Sequence, residues 1–79
     1  MEELVKYIVQ QLALNVDAVS VTSAENENGI TTISVSVAPE DMGWVIGKGG
    51  RVEQSIRAIV KTASSHSGKK YMVQIGERV

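Results

Sequence analysis

The apolar residues of the first fourteen positions recur at the spacing of an amphipathic helix. Glu2 and Glu3 stand at the start of this stripe, where acidic side chains favour the positive end of a helix dipole. The stripe itself consists of Leu4, Val5, Ile8, Val9, Leu12 and Ala13. Because these positions share one helical face, the pattern predicts a helix over about residues 2–14.

Two segments then alternate apolar and polar residues, as half-buried strands do. The first covers residues 18–22, and the second covers residues 30–37. Asn28 and Gly29 lie between them and form a strong hairpin signal, so we expect an antiparallel pair. The second strand places alternate residues on opposite faces: Ile33, Val35 and Val37 on a packed face, and Thr32, Ser34 and Ser36 on a solvated face.

The second half of the chain predicts two helices and a last strand. Pro39 suits the first turn of a short helix that ends at about Ile46. A second apolar stripe predicts a helix over about residues 50–64, formed by Val52, Ile56, Ile59, Val60 and Ala63. After a polar loop, the last strand is predicted from the alternating residues Tyr71, Val73 and Ile75, with a short tail from Gly76.

The predicted order of elements is α-β-β-α-α-β, which indicates an α+β fold. We expect one three-stranded mixed sheet with three helices packed on one face. Since two helices join the second and third strands, those strands can lie parallel, with a right-handed crossover. A chain of 79 residues has room for a single domain, residues 1–79.

The segment Val45–Val52 contains a glycine-rich turn between two of the predicted helices. Lys48 and Arg51 add positive charge to this turn, and the following helix would point its free N–H groups at it. Phosphate is therefore the expected ligand. Two phosphate-binding motifs are excluded, because the spacing fits neither a Walker A loop nor a dinucleotide fingerprint. A plain tight connection between helices remains the alternative.

The net charge of −1 hides an uneven distribution of charged residues. Residues 44–70 carry six basic side chains against Glu53 alone, a local charge of +5. The rest of the chain has Lys6 and Arg78 against eight acidic residues, a local charge of −6. Basic residues on a helix often form only a solvated face, but their clustering beside the glycine turn favours a polyanion site.

The turn and its flanks resemble the signature of the KH-domain family, in which a G-x-x-G loop between two helices clamps single-stranded nucleic acid. The element order is that of its type II, mainly prokaryotic fold, and the similarity is greatest to small bacterial members made of one domain. The resemblance implies single-stranded RNA as partner. It implies a binding surface made of Ile46, Gly47, Lys48, Gly49, Gly50, Arg51, Val52, Ile56, Lys69 and Lys70.

Three residues in or beside the glycine turn need separate comment. Ile56 fits the apolar floor of the groove and ordinary core equally well. Gly49, in a variable position of the motif, is expected to make the loop more flexible. Trp44 departs from the resemblance, because that position is often basic in similar chains. It is either a stacking platform for a base or a buried anchor, and the low aromatic content favours the anchor.

Composition narrows the remaining classes of function. The chain has no cysteine, so it lacks disulfides and thiolate metal sites, and His66 stands alone and fits a surface role. We find no signal peptide pattern and no apolar run of membrane-spanning length, which predicts a cytoplasmic protein without membrane contact. No nucleophile–base pair or carboxylate pair indicates an enzyme. We expect no cofactor, no metal and no small-molecule substrate.

The resemblance also implies partners and a cellular role. Similar proteins form homodimers or pair with a larger KH-containing protein, act as RNA chaperones, and affect cell elongation and cell-wall synthesis. We expect the helix that carries Ile59 and Val60 to contribute the interface. The alternative to RNA binding is a KH-shaped module whose main partner is protein.

Overall fold

The computed structural model describes residues 1–77 and confirms the predicted order of helices and strands. Three helices and three strands are present: α1 (Glu2–Leu12), β1 (Ser20–Glu25), β2 (Ile30–Val37), α2 (Met42–Ile46), α3 (Arg51–Ser64) and β3 (Lys70–Glu77). Short 3₁₀ turns precede β1, α2 and α3, at Val16–Ala18, Pro39–Asp41 and Lys48–Gly50.

Several predicted boundaries differ from the structure. The first helix ends at Leu12, because Ala13 already has an extended backbone. The first strand begins two residues later than predicted, since residues 16–18 form a 3₁₀ turn that the valine spacing does not indicate. The last strand includes Gly76 and continues to Glu77, so the tail predicted from Gly76 is wrong at that residue. The remainder of that tail, residues 78 and 79, lies outside the described residues.

The central strand of the sheet is β2, which pairs with both other strands. It runs antiparallel to β1 and parallel to β3, as the two kinds of connection predicted. Asn26 closes the β1–β2 loop, since its side-chain oxygen accepts hydrogen bonds from the backbone N–H groups of Asn28 and Ile30 at 2.9 and 3.0 Å. Gly29 adopts a positive φ there, whereas Asn28 does not.

All three helices contribute to one core on a single face of the sheet. The buried strand residues are the predicted Ile33, Val35 and Val37, joined by Val73 of β3. The helices add Val5 and Val9 from α1, Val45 from α2, and Ile56 and Val60 from α3. The other face of β2 is more exposed and carries serine and threonine, which confirms the predicted division of the sheet.

A buried carboxylate connects the end of α1 to the start of α2. Asp41 is 0% exposed, and its two oxygens accept hydrogen bonds from the backbone N–H groups of Leu14 and Asn15 at 3.1 and 2.9 Å. Paired in this way, the buried charge has hydrogen-bond donors for both oxygens. Asp41 therefore fixes the position of the short helix that leads directly into the glycine turn.

Candidate nucleic-acid interface

The glycine turn is a compact loop between α2 and α3. The N–H of Gly47 donates to the carbonyl oxygen of Gly43 at 3.0 Å and ends α2. The N–H of Gly50 then donates to the carbonyl oxygen of Gly47 at 3.1 Å, and α3 begins at Arg51. All three glycines of the motif have positive φ, so the loop uses backbone conformations that other residues rarely adopt.

Position 47 requires glycine for two reasons, its backbone conformation and its close contact with Val52. Its φ of 77° and ψ of 169° lie in a region that is essentially restricted to glycine. A Cβ at this position would stand 2.4 Å from Cγ2 of Val52, which is too close for any real side chain. Gly49 has a φ of 65°, but a Cβ there would meet no atom within 4 Å. The first glycine thus holds the loop against α3, while Gly49 faces open space.

The residues around the loop divide into an exposed basic group and a half-buried apolar group. Lys48 and Arg51 are exposed, and Ile46 and Val52 are half-buried on the two sides of the loop. Ile56 is 1% exposed and belongs to the core. The structure therefore decides the open question for Ile56 in favour of core packing, and Ile46 and Val52 remain as the accessible apolar surface.

Trp44 is exposed on α2, three residues before the loop. Its relative exposure is 61%, so the favoured interpretation of a buried anchor is wrong. The inward positions of this region are taken by Val45 and Asp41, both 0% exposed. A five-residue helix can bury only part of its surface, and Trp44 lies on the part that faces solvent.

A groove of about 890 Å³ lies between the C-terminal half of α3 and β3. Among the described residues that line it, four are basic and none is acidic: Arg57, Lys61, Lys69 and Lys70. Its apolar lining comes from Ile30, Val60, Tyr71, Met72 and Val73. A groove with basic rims and an apolar lining suits a chain of phosphates that carries flat bases.

The structure brings Lys69 and Lys70 into this groove and places the glycine loop at the other end of α3. Arg51 begins the helix at the loop, and Ser64 ends it beside the groove. At 1.5 Å per residue, the 14 residues of α3 extend roughly 21 Å, so the glycine loop and the far end of the groove are separated by about the length of this helix. The predicted binding residues are not a single cluster.

Arg57 and Lys61 lie on α3 between these ends and line the groove, although they are not among the residues predicted for the site. Both belong to the basic segment 44–70, but the sequence does not show how α3 lies relative to β3. With Ser64 they occupy positions i, i+4 and i+7, the spacing of one helical face. This face adjoins the buried Val60, so the helical periodicity carried a usable signal.

The two residues predicted for a protein interface have different environments. Val60 is 2% exposed and belongs to the core, so it offers no surface to a partner. Ile59 is 45% exposed and points away from the sheet side of α3. It lies in a shallow depression with Ala58, Thr62 and Ala63, which we call the outer patch. Of the predicted pair, only Ile59 can contribute directly to an interface.

Residues 1–77 contain neither a membrane-spanning helix nor a cluster of metal-binding side chains. No helix in this range is both long and apolar enough to cross a membrane. No group of three or more His, Asp or Glu side chains in the same range is placed to hold a metal ion. His66 lies in the turn after α3 and is exposed, as the sequence indicated.

Comparison with known proteins gives consistent results. A family model described as the KH domain of KhpA/KhpB matches residues 2–75. A protein of Caldanaerobacter subterraneus named RNA-binding protein KhpA is 48% identical over 75 residues, which cover 95% of this chain and 99% of that protein. Proteins of the same name from Clostridium perfringens and Listeria monocytogenes are 41% and 40% identical, over 95% and 98% of this chain and 99% and 100% of their own lengths. The chain therefore belongs to the non-catalytic KhpA/KhpB family of KH domains.

Proposed function

We propose that this chain is an RNA-binding protein made of one KH domain, residues 1–79, which clamps single-stranded RNA at its glycine loop. The observation that carries the proposal is the loop itself: a backbone that only glycine adopts easily, flanked by the exposed cations Lys48 and Arg51. The relatives with the name RNA-binding protein KhpA support the same function.

Each part of the loop has a separate role in this proposal. Lys48 and Arg51 attract the phosphates, and the positive end of the α3 dipole adds to that field. Gly49 and Gly50 let the RNA backbone approach closely, since no side chain stands in the way. Ile46 and Val52 offer half-buried apolar surface under the first bases.

The RNA then continues along α3 towards the groove. Arg57 and Lys61 lie on its path, and Lys69 and Lys70 form its far rim. Basic residues along the whole length of one helix allow a protein of net charge −1 to hold a polyanion, because the local field decides binding.

Equilibrium titration with short RNA oligomers at several salt concentrations tests this function. If three to four phosphates are neutralised, the logarithm of the association constant falls with the logarithm of salt concentration at a slope of about −2 to −3. Single-stranded RNA should bind more tightly than an RNA duplex of the same length, since the proposal requires unpaired bases. Equal binding of both, or no salt dependence, would contradict it.

The outer patch supports a second role, in protein pairing. Ile59 with its small uncharged neighbours Ala58, Thr62 and Ala63 leaves an apolar strip on α3 on the side away from the core. We propose that this strip contacts a second copy of the chain or a KhpB-like protein. In a small domain with a modest core, burying this strip adds stability.

We further propose that the protein acts in the cytoplasm as an RNA chaperone or post-transcriptional regulator, with effects on cell elongation and cell-wall synthesis. This role rests on the resemblance to small bacterial KH proteins, because the names of the relatives extend only to RNA binding. Deletion of the gene should change cell length, and the RNA that co-purifies with the protein should include specific transcripts. Restoring the wild-type gene, but not a variant with a disabled loop, should reverse the change.

A further inference from the structure

Arg57 contacts both its own helix and the edge of the sheet. Its Nη2 donates to the carboxylate of Glu53 at 2.5 Å and to the backbone carbonyl oxygen of Val73 at 3.2 Å. Glu53 lies one turn earlier on α3, whereas Val73 lies in the middle of β3. The guanidinium therefore bridges the gap between helix and strand, at the groove end nearer the glycine loop.

The bond to Val73 shows which backbone groups of β3 face the groove. Since β3 pairs with β2 on one side only, its other side is a free edge in the described sheet. Carbonyl groups alternate in direction along a strand, so the residues that share the direction of Val73 are Tyr71 and Ile75. Arg57 thus stands at the strand edge, over an apolar lining that includes Tyr71 and Val73.

The carboxylate of Glu53 is the second important partner. In this structure Arg57 Nη2 contacts one of its oxygens, Oε1. A guanidinium has further planar donors and can match a pair of adjacent acceptors. A base edge with two neighbouring acceptors has the same chemistry: O2 and N3 of cytosine, or O6 and N7 of guanine. On adenine, the Watson–Crick and Hoogsteen edges each place the amino donor beside a single acceptor, and this donor meets the guanidinium unfavourably.

We propose that Arg57 is a specificity-determining residue that selects an unpaired cytosine or guanine in the groove, and that Glu53 occupies its place until RNA binds. This inference rests on the proposed function and adds a base preference to it. The bond to the Val73 carbonyl keeps the guanidinium oriented while the base replaces the carboxylate. A phosphate could also replace Glu53, but the apolar lining and the strand edge favour a base.

The test is a set of binding titrations with RNA octamers of uridine that carry two central cytidines, guanosines or adenosines. For the wild-type protein we expect the cytidine and guanosine octamers to bind between about 5-fold and 100-fold more tightly than the adenosine octamer. Arg57→Lys keeps the charge but not the paired donors, so it should remove this preference and retain the salt dependence. Glu53→Gln should tighten binding of the preferred octamers, because the competing charge is gone.

Lys61→Gln provides the matched control, since Lys61 lies one turn away on the same face of α3 and lines the same groove. It should weaken binding of all octamers equally and leave the preference intact. Thermal unfolding checks that each variant is folded. An Arg57→Lys protein with unchanged preference, or an Arg57→Gln protein that loses affinity equally for every octamer, would assign Arg57 to a phosphate and overturn the proposal. A wild-type protein that binds RNA without preference would overturn it too, whereas absence of all RNA binding would refute the proposed function itself.

Discussion

Gly47 and Val52 pack so closely that the first glycine of the loop cannot carry a side chain. A Cβ on Gly47 would lie 2.4 Å from Cγ2 and 2.8 Å from Cβ of Val52. Val52 is the second residue of α3, so this contact fixes the direction in which the helix leaves the loop. The geometry of the glycine turn therefore depends on contacts within the protein. Lys48 and Gly49 are exposed and remain accessible to a ligand.

Gly47→Ala should lower stability far more than Gly49→Ala, its matched control. The first change combines a glycine-only backbone conformation with a steric clash, and we expect a loss of about 3 kcal/mol or more. The second introduces a left-handed alanine in open space, with an expected loss of about 1 kcal/mol. In thermal unfolding the control should lower Tm by about 4–8 °C, and Gly47→Ala by clearly more. Equal values for the two variants would contradict the contact.

Asp41→Ala should destabilise the protein by about 2–3 kcal/mol, because the backbone N–H groups of Leu14 and Asn15 lose their acceptors. Glu40→Ala is the control: Glu40 is the exposed neighbour in the same 3₁₀ turn, and its loss should change the free energy of unfolding by less than about 0.5 kcal/mol. Urea denaturation measures both. If the two variants have the same stability, the buried carboxylate does not hold α2 in place.

Ile59→Asp should prevent self-association without unfolding the chain, since the side chain is 45% exposed and lies in the outer patch. Tyr7→Asp is the control, because Tyr7 is 62% exposed and lies on α1, outside that patch. Analytical ultracentrifugation should show a dimer for the wild-type and control proteins and a monomer for Ile59→Asp. A wild-type monomer at high micromolar concentration would rule out the homodimer.

Trp44→Ala should weaken RNA binding without a large effect on stability. Stacking of a base on an exposed aromatic ring contributes about 1–3 kcal/mol, which corresponds to a loss of roughly 5-fold to 100-fold in affinity. Tyr7→Ala is a close control, because Tyr7 on α1 is 62% exposed and Trp44 is 61% exposed. As the single tryptophan, Trp44 should also report RNA binding through quenching of its fluorescence. Unchanged affinity and fluorescence would remove it from the interface.

The fold was predictable because its core follows simple periodicities. The alternation from Ile33 to Val37 gave both the strand and its buried face, and the G-x-x-G motif located the loop. Relationships between distant elements were not predictable in this way. The exposure of Trp44 depends on which face of a five-residue helix meets the core, and the burial of Asp41 depends on backbone donors 26 and 27 residues away.

The groove illustrates the same limit for the candidate site. Arg57 and Lys61 were visible as basic residues, but only the docking of α3 on β3 shows that they line one groove with Lys69 and Lys70. Val60 shows the opposite case, a residue that was predicted for an interface and lies in the core. One helical stripe contained both Val60 and Ile59, yet one side chain is buried and the other is half exposed.

The central claim is that the glycine loop holds the RNA, and the double variant Lys48→Asp/Gly49→Asp tests it most directly. Both residues are exposed, and aspartate tolerates the left-handed backbone of Gly49 better than most residues. The variant removes one positive charge and adds two negative charges beside the phosphates. A matched control, Lys6→Glu/Gln11→Glu, makes the same change in net charge on exposed positions of α1.

The decisive measurement is the affinity for single-stranded RNA of the wild-type, loop-variant and control proteins over a range of salt concentrations. We predict that the loop variant remains folded by circular dichroism but loses binding, while the control retains nearly wild-type affinity and a slope of about −2 to −3. A folded loop variant with unchanged affinity and salt slope would contradict the account, and would leave protein pairing as the better explanation of this domain.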